Sequence, residues 1–232
     1  VCLVGDANGS IMVNTYTVYG GSGWSSASGE GDFPYSLLEG DDLLPEVTLG
    51  RISIRSTTEL ATVINKIIGY EKAYTNLQGQ NEWFERGALV GDPSDSGIST
   101  IITNEYIQQI MEYHGFEDVR TNYGNGSYNN FADNQFTDGI LYYNYRGYYG
   151  ESSISVSGMN SGVYAPFAAT VTCGTGDFNG TSSSENFIRA GSVSNPKGGV
   201  AAVGTATSST HTVPNNILDM GMYDGIFSKG LS

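Results

Sequence analysis

A short apolar run closed by Gly-Asp occurs twice in this chain, at Val1-Cys-Leu-Val-Gly-Asp6 and at Ala88-Leu-Val-Gly-Asp92. Apolar runs without alternation read as strands covered on both faces, the pattern of parallel sheets packed between helices. Gly-Asp at the carboxyl end of such a strand places a side chain where parallel α/β sheets meet their ligands. The rest of the chain follows the same grammar. Val47–Ile54 alternates as a strand, Ser56-Thr-Thr-Glu59 has the form of a capping box, and Leu60, Val63, Ile64, Ile67 and Ile68 carry a helix to about Tyr74. A second helix is expected over Thr100–Tyr113, with Ile102, Tyr106, Ile110 and Met111 inward and Gly115 as its stop. Gly139–Tyr145 and Ala165–Thr172 read as strands, Ser182–Glu185 as a helix start, Gly198–Val203 as a further strand, and Pro214 as the start of a last helix. Gly20–Gly31 reads as an exposed loop. This order predicts a three-layer α/β fold with a mostly parallel central sheet and flanking helices. Because the chain opens inside a strand, a preceding lobe is expected upstream of Val1.

Composition narrows the partners. Ten Lys+Arg stand against 24 Asp+Glu, a formal net charge of −14, and no cluster of basic residues occurs. That lacks the positive footprint required for phosphate backbones or anionic lipid, so nucleic acid and a membrane surface are excluded as partners. No apolar run approaches the roughly 18 residues of a membrane span. The chain's two cysteines, Cys2 and Cys173, lie far apart, with no Cys-x-x-Cys or His cluster, so neither a disulfide framework nor a zinc site is expected.

Cys173 follows the apolar strand end Ala168-Ala-Thr-Val-Thr172 and leads into Gly174-Thr-Gly-Asp177. A thiol at a strand tip followed by small residues has room for a substrate carbonyl, and its own N–H can serve an oxyanion. The plainer reading is a small buried residue, since free cysteine is among the most buried types. The alternating Tyr142–Tyr149 run reads as a half-buried sheet face or as a stacking platform.

The runs D-G-I-L-Y-Y-N-Y-R-G, T-C-G-T-G-D-F, S-S-S-E-N-F-I-R-A and N-P-K-G-G-V-A-A-V-G-T-A resemble the gingipain family of cysteine peptidases. Upstream, G-D-F-P-Y-S-L-L-E-G-D-D, L-P-E-V-T-L-G-R-I-S and W-F-E-R-G-A-L-V-G-D extend the resemblance in the same order over nearly the whole chain. The resemblance implies a secreted or cell-surface bacterial endopeptidase acting on protein or peptide substrates. It implies a caspase-like fold, of which residues 1–232 would be the second lobe. It makes Cys173 the nucleophile, with the oxyanion held by the Cys173 N–H and an N–H near Gly150. No cofactor is required; structural calcium, as in the family, would fall to Asp32, Glu39, Asp41 and Asp42.

One departure bears on the chemistry. The family's general base is a His in N-Y-x-G-H-G, whereas this chain reads Asn144-Tyr-Arg-Gly-Tyr-Tyr-Gly150, with Tyr148 at the His position. A phenol of ordinary pKa near 10 is a poor base beside a thiol of ordinary pKa near 8.5. His211 lies in the region that walls the family's substrate pocket, with Thr172 near it, and is a candidate replacement base or specificity residue; the alternative is a solvated loop His. His114 reads as a solvated residue at a helix end. Asp92 is either the acid that orients the base or a turn residue before Pro93. Where Arg-specific relatives carry a pocket Asp, this chain has Gly97-Ile-Ser-Thr100, and Thr100 cannot pair a guanidinium as a carboxylate does. Two functions therefore stand: a cysteine endopeptidase, or a catalytically inactive relative serving as a protein-binding or structural module of a surface protein or filament.

Overall fold

The computed structural model describes residues 1–19, 28–76, 81–148, 162 and 164–230. Its centre is a five-stranded sheet of β5 (Arg86–Gly91), β6 (Asp118–Tyr123), β7 (Tyr142–Arg146), β8 (Phe167–Thr170) and β9 (Ala201–Gly204). All pairings are parallel and the order is β6-β5-β7-β8-β9. The helices are α1 (Thr57–Asn76), α2 (Ser99–Tyr113), α3 (Tyr128–Asp138), α4 (Ser183–Arg189) and α5 (Thr212–Ser228). Alternation along the strands divides the core into two layers. Ala88, Val90, Tyr143, Tyr145 and Ala168 pack against Phe136 of α3 and Phe187 of α4, whereas Leu89, Ala169 and Val171 pack against Ile107 and Met111 of α2 and Tyr223 of α5. The expected three-layer α/β architecture is thus present, and Tyr143 and Tyr145 are core residues rather than a stacking platform.

Two smaller ladders lie outside this sheet. β1 (Cys2–Val4) pairs in parallel with β4 (Gly50–Ile52), and β2 (Tyr16–Tyr19) pairs antiparallel with β3 (Ser28–Gly31). β1 is not the buried strand expected from its sequence: Val1 and Val4 are exposed, because a two-stranded ladder does not cover both faces of either strand. β3 likewise replaces the end of the expected Gly20–Gly31 loop; residues 20–27 lie outside the described range. Asp6, at the end of β1, forms a fully buried ion pair with Arg189 of α4 at 2.9 Å, so the first Gly-Asp unit fastens this ladder to the main body rather than opening a crevice.

The predicted α1 and α4 starts carry their caps. In α4 Ser182 Oγ accepts from Glu185 N–H and Glu185 Oε2 accepts from Ser182 N–H at 2.8 Å, a complete capping box. α1 has half of one, Ser56 Oγ accepting from Glu59 N–H while the Glu59 carboxylate turns to Arg55. α2 forms where expected but is rotated. Ile102 and Tyr106 are exposed, and the buried side is Thr100, Thr103, Asn104, Ile107 and Met111. The polar members are drawn inward by backbone acceptors: Asn104 Nδ2 donates to Val90 O at 3.1 Å and Thr100 Oγ1 to Asp92 O at 2.9 Å.

Candidate active site

Four strand tips meet along the carboxyl edge of the sheet. Direction of connection reverses between β5 and β7, since β5 leads outward through α2 to β6 while β7 leads the other way to β8 and β9. Such a switch point opens a crevice at the strand ends. Tyr145 of β7 is in register with Thr170 of β8, which brings the following loops, with Tyr148 and Cys173, side by side. Thr172 Oγ1 donates to Tyr148 O and ties the two tips together. Asp92, just past β5, donates its N–H to Arg146 O at 2.8 Å.

Cys173 is buried, with 7% of its surface exposed. The turn it begins is strapped by the segment after β9: Gly174 N–H donates to Thr207 O and Gly176 N–H to Thr205 O, both at 2.9 Å, and Thr205 Oγ1 donates to Thr172 O. Close approach needs the absence of side chains here. A Cβ on Gly176 would lie 2.7 Å from Gly204 O, and one on Gly204 would lie 2.7 Å from Gly176 N. Among the described residues no hydrogen bond occupies the Cys173 N–H.

Among the described residues, the hydrogen-bonding groups at the thiol are both on Thr210. Sγ lies 3.3 Å from Thr210 Oγ1 and 3.7 Å from Thr210 O. His211, expected as a replacement base, is exposed and serves as the N-cap of α5, its Nδ1 accepting from Val213 N–H at 3.2 Å. Its Nδ1 is thus engaged by the cap, and the hydrogen-bonding groups described at the Cys173 thiol belong to Thr210 and not to His211. His114 is exposed as expected and stacks on Phe227.

Asp92 is buried, and its carboxylate is spoken for. Oδ1 accepts from Ser94 N–H at 2.9 Å and from Tyr128 Oη at 3.2 Å, and Oδ2 accepts from Tyr145 Oη at 3.2 Å. It combines the turn role with the anchoring of two phenols, and no imidazole shares it among the described residues. Tyr148 is about half exposed at the mouth; Gly150, the other expected oxyanion donor, lies outside the described residues. Thr100 is fully buried with its hydroxyl turned to Asp92 O and to Gly97 O at 3.1 Å, so it starts α2 rather than lining a pocket.

The expected calcium ligands do not come together. Arg51 grips Asp32 with Nε and Nη2 at 2.6 and 2.7 Å, while Glu39, Asp41 and Asp42 lie on an exposed loop where Asp42 accepts from Leu44 N–H. Among the described residues no three His, Cys, Asp or Glu side chains are grouped to hold a metal ion. With Asp32 held by Arg51 and the other three on an exposed loop, the four carboxylates are not gathered as a calcium site requires.

Beneath the tips lies a polar layer that the strand pattern conceals. Arg146, fully buried, donates Nε to Asn216 Oδ1 at 2.7 Å, Nη1 to Gly147 O and Val171 O at 3.0 and 2.7 Å, and Nη2 to Thr212 O at 3.3 Å. One guanidinium thus joins the β7 tip, the β8 tip and the start of α5. Burial pushes it below its ordinary value, opposed by Asp219 and, after it, by Tyr145 and Cys173 when they carry negative charge. Asp219 itself is pushed up to about 7 by burial, opposed by the hydrogen bond from Asn144 and by Arg146. The sequence reading missed Arg146, Thr210, Asn215, Asn216 and Asp219. The adjacent Asn215 and Asn216 in the first turn of a mostly apolar helix were the local signal for them.

The sequence model of Peptidase family C25 matches residues 1–232. The chain belongs to peptidase family C25. This is the gingipain-like cysteine peptidase family, as the resemblance implied. Gingipain R2 of Porphyromonas gingivalis strain W83 is 27% identical over 198 residues, covering 79% of this chain and 26% of that protein. Gingipain R1 of Porphyromonas gingivalis is 26% identical over 198 residues, with 79% of this chain and 20% of that protein covered. Among solved structures, the crystal structure of the Arg-specific cysteine proteinase gingipain R superposes at a TM-score of 0.79 with 24% identity, over 98% of this chain and 53% of that one. A complex of the pro- and mature domains of Porphyromonas gingivalis RgpB gives a TM-score of 0.75 over 100% of this chain and 54% of that one, also at 24% identity. The chain therefore spans about a quarter of the length of the gingipain R2 it matches and about half of the solved family C25 chains.

Proposed function

We propose that this chain carries the nucleophilic site of a secreted or cell-surface bacterial cysteine endopeptidase, with Cys173 attacking the peptide carbonyl. The observation that carries the proposal is the placement of Cys173 at the edge of the sheet, beside the β7 tip, with its N–H unoccupied among the described residues. The Cys173 thiolate adds to the carbonyl carbon, and the developing oxyanion takes the Cys173 N–H. Collapse expels the amine, which takes its proton from solvent or from a side chain at the mouth such as the Tyr148 phenol. Water then attacks the thioester, releasing the carboxylic acid and restoring the thiol. With Thr100 buried where Arg-specific relatives are expected to hold an acid, that position offers no carboxylate to support a preference for Arg at the cleaved bond.

A second reading has its own observation. Tyr148 occupies the position of the family's His, and His211 is engaged as a helix cap. On that reading the cleft binds protein segments without cutting them, as a module of a surface protein or filament. Hydrolysis of a mixed peptide library, followed by mass spectrometry with Cys173→Ala as control, separates the two. Cleavage lost in Cys173→Ala supports the peptidase; retained binding of uncleaved peptides supports the module.

A further inference from the structure

Thr210 is held in place with unusual care for a residue in a polar segment. Ser209 before it adopts φ 55°, a left-handed conformation that a non-glycine residue rarely takes and that turns the chain back toward Cys173. Asn215, buried in the first turn of α5, donates Nδ2–H to Thr210 Oγ1 at 2.8 Å. With one lone pair of the oxygen filled, the hydroxyl proton is free to point at Sγ, 3.3 Å away. Asn216, the next residue, holds Arg146, so the same helical turn fixes both the hydroxyl and the guanidinium beneath it.

From this geometry we infer that Thr210 is a catalytic residue of this chain, donating its hydroxyl proton in a hydrogen bond to the Cys173 thiolate, and that Asn215 is the positioning residue that orients it. The inference rests on the peptidase reading and deepens it by naming what stands at the thiol in a chain that has Tyr148 in place of His. A donor to the charged form favours that form. The proton of the thiol leaves to solvent, the hydroxyl keeps its own, and no further group changes oxidation or bonding. Arg146, from β7, is close enough to interact with Cys173; Tyr148 at the β7 tip and His211, next to Thr210 in sequence, are titratable groups on the adjoining segments, while Tyr145 turns to Asp92 and Asp219 to Asn144.

Alkylation of Cys173 by iodoacetamide between pH 5 and 10 reads the thiolate directly and does not depend on turnover. Cys2→Ser serves as the background, because Cys2 is exposed. Thr210→Val is expected to slow alkylation at pH 7 by roughly tenfold and to move the profile up by about one pH unit, the scale of one hydrogen bond to a charged group. Thr210→Ser is expected to stay within about twofold of wild type, and Asn215→Ala to fall between them. If Thr210→Val does not fold, as judged by circular dichroism, Asn215→Ala decides, since it leaves the hydroxyl in place but unoriented. An unchanged profile in the deciding variant overturns the inference. A shifted profile in a protein that cleaves no peptide would sustain the hydrogen bond and sink the peptidase reading instead.

Discussion

Asp219 has no exposed surface and, among the described residues, accepts one side-chain hydrogen bond, from Asn144 Nδ2 at 2.8 Å. Burial raises its folded carboxyl to about 7, above the ordinary unfolded value near 4. Between these pH values the native state binds more protons than the unfolded chain, so the stability this group confers is full below about pH 4 and is lost as pH rises through 7. Asp219→Asn keeps an oxygen for Asn144 and removes the titration. Thermal melts should show wild-type stability falling from pH 4 to 7 relative to Asp219→Asn, by at most about 4 kcal/mol; parallel curves would mean that the carboxyl is ionised throughout. Gly147 is constrained by space. A Cβ there would lie 2.7 Å from Asp92 Cβ and would also strike the Tyr145 hydroxyl. Gly147→Ala is therefore expected to cost about 1–3 kcal/mol in urea unfolding, as overpacking does, and to slow alkylation of Cys173 by displacing the β7 tip. A variant as stable and as reactive as wild type would contradict that packing.

Lys66 pins α1 to the end of α4. Its ammonium, almost wholly buried, donates to Ile188 O, Ala190 O and Lys197 O at 2.5, 3.4 and 3.0 Å, with no carboxylate among these partners. Burial lowers it to about 7. The native state then binds fewer protons than the unfolded chain from about 7 to 10.5, so stability is full above the unfolded value and is lost as pH falls through 7. Lys66→Met should remove the rise between pH 7 and 10, measured by urea unfolding at each pH; a rise that persists would place the titration elsewhere. The elements themselves were unevenly legible. β5, β7, β8, α1 and α4 could be read because apolar runs, heptad-like spacing and a capping box are local signals. β6 and α3 have weak local signals because β6, Asp118–Tyr123, is mostly polar in sequence and α3 buries only Ala132 and Phe136. α2 was placed correctly and turned wrongly, since its Thr and Asn side chains serve backbone acceptors in the core while Ile98 and Ile102 face outward.

Across the whole molecule, the sheet converts distant sequence into one site. Cys173 was legible because a strand-end cysteine within a family motif is a contiguous signal. Thr210, Asn215 and Arg146 were not, because their meeting depends on the β7–β8–β9 order and on the turn at Ser209. The same order explains why Asp92 and Asp6, identical in local sequence, differ in role: one ends a strand at the switch point, and the other ends a separate ladder and pairs with Arg189. On this reading Cys173 is a nucleophile served by the surrounding tips rather than an inert core thiol. Exposure of the native protein at pH 7 to a peptidyl acyloxymethyl ketone, read by intact mass and peptide mapping, distinguishes the two states of this thiol. One adduct per chain is expected on Cys173, formed much faster than on the exposed Cys2 and absent in Cys173→Ala. Modification of Cys2 alone, or of both thiols at the rate of an ordinary cysteine, would contradict it.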